Sequence, residues 1–216
     1  MRRPDDTELF GMLGEYGIPL VPYEFARTRV EAVAAAKRVG YPCAMKISSK
    51  DIPHKTDAGG VVLGIASDGD AGKAFDSIMA NARNFAKGAS LDGVVVQKMP
   101  GKGIETIIGI KKDPQFGHVL MFGLGGIFVE VYKDIAFRVA PVSVREALDM
   151  VREIKGYRIL AGLRRQVPYD IDAVVQVLMA ASTLVEERGD IAEMDINPLI
   201  VHESGATAVD ARALFE

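Results

Sequence analysis

An α+β fold, with strands and helices in separate runs, is what the order of elements predicts. Three observations carry this. Strand-like segments cluster beside clusters of helices instead of alternating strictly with them, which argues against a doubly wound parallel sheet. The 216 residues suffice for one large domain or two small lobes. An apolar share of 49% against 25% charged residues is the balance of a soluble globular chain, large enough to bury a core without disulfide or metal staples.

The elements follow in order. Leu9, Met12, Leu13 and Tyr16 share one face of a helix over 5–16, and Gly17 stops it. IPLVPYEF is extended, and its two prolines place it at an edge or in a loop. Thr28 with Glu31 forms a capping box for a helix that ends at Gly40. CAMKI is a strand, 48–60 a loop, and VVLGIA the next strand. A helix over 70–86 turns Phe75, Ile78, Met79, Ala82 and Phe85 inward. VVVQKM, IETIIGIK, HVLMF, IFVEV and IAFRVA are strands, with Asp113-Pro114 turning the chain between two of them. Ser143 with Glu146 caps a helix to about residue 154; a short helix near Ile159 and a long one over 170–187 follow. The chain closes with strands around MDINPLIV and ATAVDA.

Several function classes drop out. With 26 basic and 29 acidic residues the formal net charge is −3, so no basic excess drives nucleic-acid binding. The N-terminus lacks an apolar signal core. The longest uncharged apolar run, 119–129, is short of the about 20 residues of a bilayer span. Cys43 is the sole cysteine; with no internal disulfide available, a reducing cytoplasmic setting is expected. The phosphate-loop, dinucleotide-loop, zinc and nucleophile-elbow signatures are all missing; Gly-Leu-Gly-Gly at 123–126 runs toward a strand, not a helix.

What remains is a set of polar residues where strands should be apolar. Lys46 interrupts CAMKI and shares a face with Ala44, so it meets solvent, a cleft or an anion. Glu105 and Glu130 interrupt two other apolar strands. Glu193, Asp195 and Asn197 share one strand parity, with Asp210 on a partner strand. Such oxygens suit Mg²⁺, which uses one or two carboxylates plus waters and phosphates; a solvated acidic face has the same pattern. The densest segment is DIPHKTDAGGV, residues 51–61, a loop between two strands. Its peptide N–H groups, Lys55 and its flexible glycines suit phosphoryl oxygens. The imidazole of His54 offers a nucleophilic nitrogen at neutral pH, although a loop histidine also makes ordinary hydrogen bonds. His118 and His202 have no comparable surroundings.

Taken together, YPCAMKI, DIPHKTDAGGV, QKMPGKGIETIIGIKKDPQFG, FGLGGIFVEVYKD and EMDINPLIV resemble the β subunit of ADP-forming acyl-CoA (acetyl-CoA) synthetases. More distantly they resemble the ATP-grasp part of the succinyl-CoA synthetase β subunit. The resemblance runs from ELFGMLGEYGIPLVPYE to VDARALF, nearly the whole chain. It implies an ATP-grasp fold with the nucleotide between a smaller lobe, 22–98, and a larger one, 1–21 and 99–216. It implies ATP/ADP and Mg²⁺ as cofactors. Lys46 would bind nucleotide phosphates, joined by Lys55, Asp57, Gly59 and Gly60; residues 97–99, from Gln97 to Met99, would meet adenine largely through their backbone, with Glu105 in the same pocket. Asn197 and Asp210 would ligate Mg²⁺, Asp195 would lie close to the transferring phosphoryl group, and His54 would be phosphorylated transiently on a moving loop.

The implied reaction is acyl-CoA + ADP + phosphate ⇌ carboxylate + ATP + CoA, with this chain at the ADP end. The resemblance takes in no CoA-binding or CoA-ligase domain. A CoA-binding α subunit in an α2β2-like hetero-oligomer, or a fused domain, is therefore expected, and neither nucleic acid nor membrane is. Arg165 departs from the family pattern, which has glycine there. A silent regulatory ATP-grasp module, or a ligase that forms an acyl phosphate directly, are the competing functions.

Overall fold

The computed structural model describes residues 1–126, 129, 132–163 and 167–216. Glu130 and Arg165 lie outside the described residues. Two compact units are present: a smaller one of Pro4–Glu8 and Val21–Met99, and a larger one of Met1–Arg3, Leu9–Leu20 and Pro100–Glu216.

The smaller unit holds β1 (Tyr23–Ala26), α2 (Arg29–Val39), β2 (Cys43–Ser48), β3 (Val61–Ile65), α3 (Asp68–Phe85) and β4 (Gly93–Lys98); α1 (Asp6–Glu15) contributes its first residues. The sheet order is β1-β4-β2-β3, all antiparallel. β1, which directly follows Pro22, is an edge strand, in line with the expectation for the proline-containing IPLVPYEF segment. Thr28 and Glu31 form the expected capping box on α2, and Ser67 caps α3. One sheet face presents Cys43, Met45, Ile47, Val94 and Val96 to Ala32, Ala35, Ala36, Phe75, Ile78 and Ala82 of the two helices, which makes the core. Gly93 has φ +123°, and a Cβ there would stand 2.3 Å from the Ala26 carbonyl oxygen, so glycine is required where β4 passes β1. Between β2 and β3 the register slips: Cys43 faces Ile65 but Met45 faces Val62, leaving Leu63 and Gly64 (φ +69°) bulged and Leu63 exposed.

The larger unit holds β5 (Ile104–Asp113), β6 (Gly117–Leu124), β7 (Ile135–Val139), α4 (Val144–Glu153), α5 (Tyr157–Leu160), α6 (Ile171–Glu187), β8 (Ile191–Val201), β9 (Ala206–Ala208) and β10 (Ala211–Phe215). Its antiparallel sheet runs β10-β8-β5-β6-β7, with β9 also on β8. Alternation puts Ile108, Ile110, Leu120, Phe122, Leu124, Ala136, Met194 and Ile196 on the buried face, while Met150, Val151, Val174, Leu178, Ala181 and Leu184 are buried on α4 and α6. Ser143 and Glu146 form the second capping box. Asp170 caps α6 through Ala173 N (2.9 Å) and also accepts from Gly205 N (2.7 Å), tying the helix to the final hairpin. The buried carboxylate of Asp134 accepts from the backbone N–H groups of Lys155 and Gly156 at 2.7 and 2.6 Å.

Two expectations change. Within IFVEV only Val129 is described; its N–H closes a turn onto Gly126 O (3.2 Å) and it is helical, not extended. The cause is local: Gly126 has φ +60°, which turns the chain out of β6. The terminal ATAVDA strand is two strands: Val209 N still donates to Pro198 O (3.0 Å) in the register that β9 and β10 share on β8, but Pro198 has no N–H to return the bond.

Candidate active site

In the smaller unit, His54 is exposed in the middle of a segment fastened on both sides. Upstream, Ile52 is 1% exposed within the apolar core, and Asp51 accepts from Ser90 N (2.8 Å). Downstream, Ala58 joins the same core, and Asn81 Nδ2 donates to Gly59 O (3.0 Å). Lys55 Nζ reaches Asp6 Oδ1 at 2.8 Å, and both side chains are 10% exposed. Neither ring nitrogen of His54 has a partner among the described residues. His118 and His202, by contrast, bond the carbonyls of Ile191 (2.7 Å) and Lys102 (2.9 Å).

The segment differs from the pliable phosphate cradle that its composition suggests. The N–H groups of Ala58, Gly59 and Gly60 donate to the carbonyls of His54 (3.3 Å), Thr56 (2.9 Å) and Lys55 (2.8 Å), so their hydrogen-bonding capacity is used inside the loop. The glycines are there for close packing. A Cβ on Gly60 would stand 2.4 Å from Ile47 Cγ2, and one on Gly59 would stand 2.8 Å from Asn81 Nδ2. Lys55 is committed to Asp6 in place of an outside anion; Asp57 is exposed.

On the helix-free face of the small sheet, registers β1–β4 and β4–β2 align Tyr23 with Gln97 and Ala44, and Phe25 with Val95 and Lys46. Lys46 is 8% exposed and Gln97 1%, and the buried Gln97 Oε1 receives no hydrogen bond among the described residues. Every position of β2 is buried, so a lysine here is no ordinary solvent-facing residue. At the strand end, Lys98 N donates to Pro22 O (2.9 Å) and Met99 N points at Pro42 O (3.4 Å). Those two amides already have acceptors.

In the larger unit the open sheet face carries a cross-strand row: Arg212, Asp195, Gly109, Met121 and Phe137 face one another in turn across five strands. The next row places Glu193 opposite Lys111, their charged groups 3.0 Å apart. Asn197 N donates to Asp210 O (2.9 Å), so these two residues stand side by side on β8 and the turn into β10. The β5–β8 register slips there, with Asn197 and Pro198 together opposite Ile107, and this bulge re-aims Asn197. Glu105 is exposed on β5, close against Gly125, where an added Cβ would lie 2.9 Å from its own. Burial raises the carboxyl of Asp195 above the ordinary range; Arg212 opposes this, while the negative charges of Asp210 and Glu193 add to it.

The oxygens of Asn197 and Asp210 are a donor set of the kind Mg²⁺ takes, one carboxylate and one amide. No group of three or more His, Cys, Asp or Glu suited to a metal occurs among the described residues. A site of this sort leaves most coordination positions to water and phosphate oxygens, as Mg²⁺ prefers and zinc does not. Sequence reasoning did not single out Asp6, Asn81, Ser90 or Arg212. Arg212 was in reach through strand parity, but the first three approach the His54 segment from 22 to 49 residues away with no local signal.

The ATP-grasp domain family matches residues 2–214. The chain is 49% identical over 210 residues to the β subunit of acetate–CoA ligase [ADP-forming] I of Pyrococcus furiosus, covering 97% of this chain and 90% of that one. It is 48% identical to acetate–CoA ligase [ADP-forming] I of Archaeoglobus fulgidus, covering 94% of this chain but 30% of that longer protein. Among solved structures it resembles the dinucleotide-forming acetyl-coenzyme A synthetase 1 of Ca. Korarchaeum cryptofilum. The complex of that protein with coenzyme A and Ca-AMPCP has a TM-score of 0.96 at 39% identity, over 100% of this chain and 94% of that one. Two further complexes are similar. One holds a phosphorylated phosphohistidine segment in a "site I orientation" (TM-score 0.91, 37% identity, 100% and 94% covered). The other holds Mg-AMPPCP, with that segment pointing towards the nucleotide site (0.86, 37%, 100% and 93%). An exposed histidine between two anchored flanks, a buried strand lysine and a paired Asn–Asp thus occur in a chain that belongs to the ATP-grasp β subunits and domains of ADP-forming acetate–CoA ligases.

Proposed function

We propose that this chain binds Mg-ADP or Mg-ATP and relays a phosphoryl group through His54, as the nucleotide end of acyl-CoA + ADP + phosphate ⇌ carboxylate + ATP + CoA. A CoA-binding subunit or fused domain supplies the acyl chemistry, and the assembly works in the cytoplasm as an α2β2-like hetero-oligomer. The observation that carries the reading is the exposed imidazole of His54, unbonded among the described residues, between anchors on both sides.

In the ATP-consuming direction a ring nitrogen of His54 forms a bond to the γ-phosphorus while the β,γ-bridging P–O bond breaks, and ADP leaves with the electron pair. Lys46 neutralises charge on the phosphate oxygens from its buried strand position, where a point charge acts with little screening. Gln97, Met99 and Glu105 border the base and ribose. Asn197 and Asp210 would hold Mg²⁺, which would draw charge from the phosphoryl oxygens. Asp195 lies close to the transferring group, in a setting where burial raises its carboxyl above the ordinary range. Splitting the transfer into covalent stages serves two reaction centres too far apart for direct attack. Asp57, Gly59 and Gly60 act by shaping the His54 segment.

Incubation with Mg-[γ-³²P]ATP tests the proposal. The expected product is an acid-labile, base-stable label on the intact chain that disappears in His54→Ala. Label that persists in that variant, or carboxylate-dependent ADP release by this chain without any CoA-binding partner, overturns it.

A further inference from the structure

We infer that the buried Lys55–Asp6 ion pair is a positioning device for the His54 segment: it is made in one orientation of that segment and broken in the other. The inference rests on the relay reading above. Lys55 follows His54 directly, and its ammonium meets Asp6 Oδ1 at 2.8 Å with both side chains 10% exposed. The other fastenings differ in kind. Ile52 and Ala58 are apolar contacts, and Asn81 and Ser90 make neutral-donor hydrogen bonds to the flanks. The ion pair joins two opposite charges, and it lies beside the proposed nucleophile.

Two buried opposite charges separate only when water or another charge replaces each partner, since an unpaired buried charge is strongly unfavourable. Such a contact is made or broken as a unit, with no graded loosening. The Korarchaeum protein shows that a phosphohistidine segment in this family takes two orientations. A segment that swings while carrying Lys55 must part that lysine from Asp6, which sits at the start of α1 and outside the loop. A phosphoryl group on His54 also brings up to two negative charges next to Lys55. It competes with Asp6 for the ammonium, so loading the histidine favours release of its own tether.

The test uses the chain assembled with its CoA-binding partner and compares the wild type with Asp6→Asn, Lys55→Gln, the double variant and Asp6→Glu. Three quantities are read: the rate of His54 labelling by Mg-[γ-³²P]ATP, the rate at which preloaded label is discharged by CoA and carboxylate through the partner, and amide hydrogen exchange. The ratio of the two rates is expected to shift at least threefold in both single variants. The double variant should shift no further, and Asp6→Glu should return toward wild type. Exchange across 52–58 should quicken at least tenfold while β2 and α3 stay protected. An unchanged ratio, shifts that multiply in the double variant, or unchanged exchange overturns the inference. Loss of protection throughout β2 and α3 also overturns it, because the pair is then part of the general core. Wild-type protein that takes no label refutes the relay instead, and hydrogen exchange still decides whether the tether exists.

Discussion

The two units present their functional side chains in different ways. In the smaller unit His54, the proposed nucleophile, stands on a loop, and the loop is held by groups brought in from elsewhere: Asp6, Asn81, Ser90 and the apolar core under Ile52 and Ala58. In the larger unit the polar groups stand on strands or directly against one: Arg212 faces Asp195 in the ladder, and Asn197, at the bulge of β8, lies beside Asp210 in the turn into β10. A loop can change orientation without dismantling a sheet, so it suits a group that must travel. A strand face is rigid and suits groups that must meet a metal and a phosphate at fixed places. Lys46 and Gln97 are strand-borne members of the otherwise loop-based smaller unit.

The largest expected effect separates chemistry from stability. His54→Ala should abolish phosphoryl labelling yet leave the thermal midpoint nearly unchanged, within about 0.5 kcal/mol of stability, as expected for an exposed side chain. Calorimetric unfolding checks the second half; a large drop would mean that the loop depends on its histidine. Next, Lys46→Ala should weaken nucleotide binding by about 1.5–3 kcal/mol, the scale of a hydrogen bond to a charged group. Unchanged affinity by titration calorimetry would remove Lys46 from the site.

Gly60→Ala inverts the His54 pattern. A Cβ 2.4 Å from Ile47 Cγ2 forces repacking at about 1–3 kcal/mol, seen as a lower denaturation midpoint. Stability equal to wild type would return that glycine to the role of a flexible hinge. In the larger unit, Asp210→Asn should impair Mg-nucleotide binding more than binding of metal-free nucleotide, and an equal effect on both would contradict its ligand role. The smallest effect is at a cap. Asp170→Ala should cost about 1 kcal/mol. Hydrogen bonds from the Gly205 and Ala173 amides hold the Asp170 carboxyl below its usual range. Its stabilisation is therefore present above the ordinary carboxylate value of about 4 and lost as pH falls through the lower folded value. The stability gap between variant and wild type should be constant near neutrality and close in acid; a gap that persists in acid would mean the cap is not electrostatic.

Much of this was legible along the chain. The capping boxes at Thr28–Glu31 and Ser143–Glu146 form as their spacing requires, because both partners lie within one helical turn. Lys46, Glu105 and Asp195 were visible as polar interruptions, since period-two alternation makes an intruder conspicuous. His54 stood out through the company it keeps in one short segment. The purpose of Gly59, Gly60 and Lys55 was not legible. Composition treats glycine as freedom and lysine as available charge, whereas here the glycines admit Asn81 and Ile47 and the lysine is claimed by Asp6. Such contacts arise only once distant segments are folded together. The turn at Val129 was missed for a nearer reason: an apolar run reads as a strand unless the positive φ of Gly126 is foreseen.

The bulge at Leu63–Gly64 has a consequence for how this protein lives in a crowded solution. A straight outer strand with its free amides and carbonyls in line invites a neighbouring molecule to add its own strand, and so on without limit. Here the slip opposite Ala44 and the left-handed Gly64 break that line within five residues. The sheet ends at four members, and a hydrophobic side chain such as Leu63 can sit in water at its border without seeding fibrils.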